Sequence, residues 1–215
     1  MLTTILSTAG GGKSFLTIKK ALQASKEKRL LILTYEMSSY HILKRVNACL
    51  DYLHIEGPKK ITVQEKDLNG VVVPVLFEEI LNKLFNEYDV IVLDGYFLNR
   101  MYSDLNLDAQ DTTYELKKCL KNTLKHNPDK QIIVNMNTNR PIQVLDDGQK
   151  TFSEWNQESI LKIKEDFFKA ELNIDDEENI LILRENQNRF HTFDFNKKTH
   201  DSFSGDDFLF GMNKK

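Results

Sequence analysis

The chain has 215 residues, with 29 Lys and Arg against 32 Asp and Glu and a formal net charge of −3. That balance sets aside whole-surface attraction to nucleic acid or an anionic membrane and leaves any polyanion site to be local. Two cysteines, Cys49 and Cys119, make neither a disulfide framework nor a metal-ligand spacing, and no run of about 18 apolar residues or basic-plus-apolar leader is present, so one soluble, cytoplasmic domain is expected.

In chain order, short β-rich runs alternate with segments of helical period, the pattern of an α/β fold with a central, mostly parallel sheet flanked by helices. Strands are expected at residues 2–6, 30–35, 61–63, 89–93, 131–136, 179–183 and 190–195, and helices at 13–26, 38–53, 74–86, 112–126 and 153–172. Most strand runs are apolar throughout, as strands buried on both faces should be. The run at 190–195 alternates less regularly and reads as an antiparallel or edge strand. Long polar connections at 95–111 and 138–152 follow strands at their carboxyl ends, where open α/β sheets place ligands. Residues 1–195 are read as one domain. Beyond Asn196 periodicity fails, and residues 196–215 are expected to be a tail without fixed structure.

The first strand runs into "STAGGGKSF". From Gly12 onward this fits the phosphate-loop signature G-x-x-x-x-G-K-[ST], with Ser7 in place of the first glycine. Glycines let successive backbone N–H groups curl toward a phosphate, and the following helix adds its positive N-terminal end. Ala9, Gly10, Gly11, Gly12, Lys13, Ser14 and Phe15 are therefore the expected nucleotide cradle. Lys13 would reach the β- and γ-phosphates of ATP, and Ser14 would hold Mg²⁺. Asp94 closes the apolar run Val90-Ile91-Val92-Leu93 and is the expected second metal residue, whereas Asp89 precedes that run and belongs at the opposite strand end. Glu36 closes "LLILTY"; it reads either as a solvated loop residue or as the group that orients an attacking water. Ser38 or Ser39 would cap the next helix.

The blocks "STAGGGKSFLTIKKAL", "LLILTYEMSSYHILKRV", "YDVIVLDGYFLN", "TYELKKCLKNTLKHN" and "QIIVNMNTNR" resemble, in that order, the ATPase core of DnaB-type replicative helicases within the RecA-like P-loop group. Glu36-Met37-Ser38 matches the family's strand-end "EMS". The resemblance implies that Lys13 and Ser14 bind phosphate and metal, that Asp94 is the second acidic site, and that Glu36 is the general base. It also implies that Asn137 stands where a γ-phosphate-sensing glutamine is usual, with Asn139 and Arg140 retained.

Three departures from that family bear on function. The sequence opens on its first core strand, without the N-terminal domain and linker helix by which family members grip neighbours in a ring. The family's late Lys-x-Arg corresponds roughly to "LRENQNRF", with Arg184 at the lysine, Asn186 at the arginine, and Arg189 as a substitute source of a trans-acting cation. In the loops that face DNA, Asp104, Asp108 and Asp111 outnumber Arg100, while Asp146 and Asp147 offset Arg140 and Lys150. Backbone phosphates need Lys or Arg, so single-stranded DNA is expected to bind poorly there. The expected function is a Mg²⁺-dependent ATPase, acting as a replication or recombination motor or accessory, or alternatively as an ATP-driven switch on protein partners. Its partners would be further copies of itself or another ATPase or replication protein.

Overall fold

A computed structural model describes residues 1–7, 11–34, 37–65, 74–94, 109–137, 178–186, 189–194, 196–197 and 199–204. The expected helix at 153–172, the connection at 138–152 and most of the connection at 95–111 lie outside the described residues. The elements are β1 (Leu2–Ser7), α1 (Lys13–Ala24), β2 (Arg29–Thr34), α2 (Ser39–Leu53), β3 (Lys60–Glu65), α3 (Pro74–Glu87), β4 (Val90–Asp94), α4 (Ala109–His126), β5 (Gln131–Asn137), β6 (Glu178–Asn186), β7 (Arg189–Asp194) and β8 (Thr199–Ser204). Helix α4 starts ahead of the expected Thr112, so Asp111 belongs to it rather than to the preceding loop.

One sheet of order β3-β2-β4-β5-β1-β6-β7-β8 carries the fold. Strands β1 to β6 pair in parallel, and β7 and β8 add antiparallel. Strand β7 is antiparallel, as its irregular alternation suggested, but the sheet edge is β8. Here the expected tail is corrected: residues 199–204 form a strand, because the Phe203 ring stacks on Phe190 with centroids 5.5 Å apart and planes 11° from parallel. The turn before β8 is closed by Asp194, whose Oδ1 accepts from the backbone N–H groups of Asn196 (3.1 Å) and Lys197 (3.0 Å).

Alternation along each strand divides the apolar residues between two faces. On one face Ile5, Ile32, Val92, Ile133 and Ile182 pack with Leu16, Ile18 and Leu22 of α1 and Ile42 and Val46 of α2. Opposite parity puts Leu31, Leu33, Ile91, Leu93, Ile132 and Val134, all buried, on the other face. There α4 contacts β1 and β5 and packs against α3. Each such side chain contributes about 1.5–3 kcal/mol relative to an exposed position. The sheet is therefore fixed by coverage of both faces rather than by any single pair. Among the described residues, no helix is long and apolar enough to cross a membrane.

Two charge clusters pin the strands' far ends. Asp89 accepts from Arg29 Nε and Nη2, each at 2.9 Å, and from Lys130 Nζ at 2.7 Å. The Arg29 guanidinium, with Lys130, holds this carboxyl well below the usual carboxylate range. At the start of β6, Glu178 Oε1 accepts from Lys20 Nζ (2.7 Å) and Lys197 Nζ (2.9 Å), while Oε2 accepts from Thr3 Oγ1 (3.0 Å). Burial opposes ionisation of Glu178, but these donors outweigh it and leave its pKa lowered. A depressed carboxyl pKa contributes stability that is present above the unfolded value, near 4.3, and is lost as pH falls through the folded value. Glu178→Gln should therefore destabilise the fold by about 1–2 kcal/mol at neutral pH, a figure reduced because one lysine partner is largely exposed. Denaturant unfolding of both proteins should show that gap closing as pH is lowered through the range in which Glu178 protonates.

Candidate functional site

Strand β1 ends at Ser7 and α1 begins at Lys13, so the glycine stretch falls at the carboxyl edge of the parallel strands. Ala9 and Gly10 lie outside the described residues. Gly12 stands at the N-cap with φ 87° and ψ 7°, a left-handed conformation that favours glycine, and among the described residues no side chain caps the helix. Acidic residues are absent from the first turn as well, so the positive end of α1 has no carboxylate of its own helix beside it. A Cβ built on Gly12 would come within 3.1 Å of Phe190 Cδ1 and 3.2 Å of Ile182 Cδ1. The loop backbone thus rests directly on the β6–β7 pair. Lys13 is buried at 8% exposure, while Ser14 and Phe15 are half-buried. A buried ammonium responds strongly to a nearby anion because little water screens it.

A polar row crosses the same face of the sheet through β2, β4 and β5. Strand parity puts Thr34, Asp94 and Asn135 on the α1 side with Ile32, Val92 and Ile133, and register sets Thr34 opposite Asp94 and Asp94 opposite Asn135. Asp94 is 2% exposed. Its Oδ2 accepts from Thr34 Oγ1 at 3.0 Å, and its Oδ1 accepts from Asn135 Nδ2 at 2.5 Å. The same amide nitrogen donates to Thr17 Oγ1 (3.1 Å), whose hydroxyl donates to the Lys13 carbonyl (2.7 Å). Asp94 is thereby tied through two side chains to the first turn of the helix that carries Lys13. Only the amide orientation with nitrogen toward the carboxylate gives donors to both neighbours. That orientation leaves Asn135 Oδ1 buried without a hydrogen-bond partner among the described residues, which costs about 1–3 kcal/mol.

Lys13, Ser14 and Asp94 thus come to one sheet edge, and Asp89 lies at the other. Glu36 is outside the described residues. Its flanks are described: Met37 N donates to Thr34 Oγ1 at 3.3 Å, and Ser38 caps α2 by accepting from His41 N. Strand β2 is separated from β1 by β4 and β5, about 14 Å at ordinary strand spacing. Asn137 is the last residue of β5, in register with Ser7 of β1; its side chain is outside the described set, as is that of Arg184. Arg189 is exposed at the start of β7. Sequence reading missed Thr34, Thr17 and Asn135. Their signal is strand or helix parity relative to Asp94 and Lys13, usable only once β4 and β5 are known to be neighbours.

A groove of about 410 Å³ runs beside α1, with Phe15 at its loop end and Lys19, Gln23, Asp201 and Phe203 among its walls. Among the described residues, no group of three or more His, Cys, Asp or Glu could hold a metal ion. The donor set at the edge is instead one hydroxyl and one carboxylate. This fits Mg²⁺, which is commonly held by one or two carboxylates together with substrate phosphates and water.

No protein-family profile matches the sequence, and no curated protein does either. Among solved structures, the ATPase domain of a DnaB-like helicase matches with a TM-score of 0.59 at 11% identity, covering 94% of this chain and 80% of that chain. The fold is RecA-like. At this identity the likeness speaks for the arrangement of strands and helices, and nucleotide binding is its coarse implication.

Gly12→Ala should lower stability by about 1–3 kcal/mol, since a left-handed conformation costs a side chain about 1–2 kcal/mol and Phe190 must also give way. Thermal unfolding of the two proteins without added nucleotide measures this. An unchanged midpoint would mean that the loop does not rest on Phe190 in this conformation.

Proposed function

We propose that this chain binds Mg·ATP at the β1–α1 junction and hydrolyses it. The observation that carries the reading is the meeting at one sheet edge of an uncapped helix start, led by a left-handed glycine and a buried lysine, with a buried carboxylate tied to that same helix. Backbone N–H groups of Gly11 to Ser14 and the Lys13 ammonium hold the phosphates, the Ser14 hydroxyl and Asp94 hold the metal, and the groove beside Phe15 receives the nucleoside. Bound Mg²⁺ supplies charge neutralisation on the phosphate oxygens. Glu36 accepts a proton from the attacking water as its oxygen bonds to the γ-phosphorus and the bond to the β-phosphate oxygen breaks, giving ADP and inorganic phosphate. Asn137 senses the γ-phosphate. The support for these last two roles is the "EMS" and "NMNTNR" resemblance together with the strand ends at Thr34 and Asn137.

The resemblance to DnaB-type cores favours a DNA-dependent motor or accessory that assembles with copies of itself or a partner ATPase. A switch acting on protein partners is the second reading, favoured by the acidic balance of residues 95–111 and 138–152. Single-stranded DNA should stimulate turnover several-fold under the first reading and leave it unchanged under the second.

Lys13→Ala should weaken ATP binding, and Glu36→Gln should retain binding while losing on the order of 100-fold or more in turnover. Equilibrium binding of a fluorescent ATP analogue and phosphate release measure the two. Turnover equal to wild type in Glu36→Gln would remove the general-base role, and undiminished binding in Lys13→Ala would remove the phosphate site.

A further inference from the structure

The amide of Asn135 is placed as no purely structural residue needs to be. It is 1% exposed in the middle of a sheet whose neighbouring positions are apolar, and its Oδ1 lacks a hydrogen-bond partner among the described residues. Leucine would fill similar space without burying an orphaned acceptor, so the fold alone gives no reason for asparagine here. What the amide does accomplish is specific. One N–H goes to Asp94 Oδ1 at 2.5 Å and the other to Thr17 Oγ1 at 3.1 Å. With Thr34 donating to the other Asp94 oxygen at 3.0 Å, the carboxylate is held from both sides. Both donors can serve Asp94 as a charged acceptor, the form needed to ligate a cation.

We propose that Asn135 is a positioning residue for the metal: it fixes the rotamer of Asp94 and joins that rotamer to the helix turn carrying Lys13 and Ser14. The link runs from Asp94 through Asn135 and Thr17 to the Lys13 carbonyl, so carboxylate and phosphate loop keep one spacing. Groups that orient a metal ligand from behind typically alter metal affinity 10–100-fold when removed. The orphaned Oδ1 adds a second consequence. Removing it relieves a buried, unpaired acceptor, so the loss of metal affinity is not accompanied by a loss of fold stability.

This inference rests on the Mg·ATP reading above, and the experiment separates the two. Wild type, Asn135→Leu and Asn135→Ala are compared as full chains in three measurements: ATPγS affinity in EDTA, the Mg²⁺ concentration that half-maximally enhances ATPγS affinity, and the unfolding midpoint without nucleotide. Mn²⁺ binding followed by its EPR signal in the presence of ATPγS checks the second. For Asn135→Leu, affinity in EDTA should stay within about twofold of wild type, the half-maximal Mg²⁺ should rise 10–100-fold, and the midpoint should be equal or higher. An unchanged Mg²⁺ requirement overturns the inference while leaving the Mg·ATP reading intact. A lowered midpoint together with weakened binding in EDTA, or failure of both variants to fold, makes the amide structural and also overturns it. Absence of Mg²⁺-enhanced ATPγS binding in wild type removes both proposals.

Discussion

A carboxylate that is 2% exposed at the end of an apolar strand constrains everything around it. Burying such a charge is costly unless donors or counter-charges meet it, so the strands on either side must carry polar groups where they would otherwise carry packing. Thr34 and Asn135 occupy those register positions and donate to the two oxygens of Asp94. The same requirement reaches α1, because the second N–H of Asn135 goes to Thr17. Helix α1 is thus fastened to the sheet by a polar link in its first turns and by Leu16, Ile18 and Leu22 along its buried face.

The two edges of the parallel strands solve their electrostatics differently. At the amino edge Asp89 meets Arg29 and Lys130, and nearby Glu178 meets Lys20 and Lys197, so each carboxylate has cations in direct contact. These pairs close the structure. At the carboxyl edge, among the described residues, the polar row contains an acceptor left over, a left-handed glycine and a helix start without a side-chain cap. Unmatched groups are expected where a ligand completes the arrangement, and that asymmetry between edges is the physical basis for the proposed nucleotide site.

The strands and helices were readable because buried parallel strands are apolar throughout and α1, α2 and α4 keep a helical period, and the Gly12-Lys13-Ser14 run announced the loop. Strand β8 was not readable. In "THDSFS" one apolar residue, Phe203, does the packing, and its partner Phe190 lies on another strand, so no local period betrays it. Asn135 was hidden for a related reason: "QIIVNMN" shows a strand, but which of its polar residues faces Asp94 depends on β4 and β5 being adjacent. Strand order is a tertiary fact. Glu36 and Asn137 were legible through resemblance, and their roles remain proposals.

The central claim is that the amides leading into α1 wrap a triphosphate tail. Backbone amide NMR during a titration with Mg·ATP tests it most directly. The account predicts that the largest shifts fall on Gly11, Gly12, Lys13 and Ser14, with smaller ones at Asp94 and none at Arg29, Asp89 or Lys130. Shifts concentrated at that opposite edge, or none at all at saturating nucleotide, would contradict it.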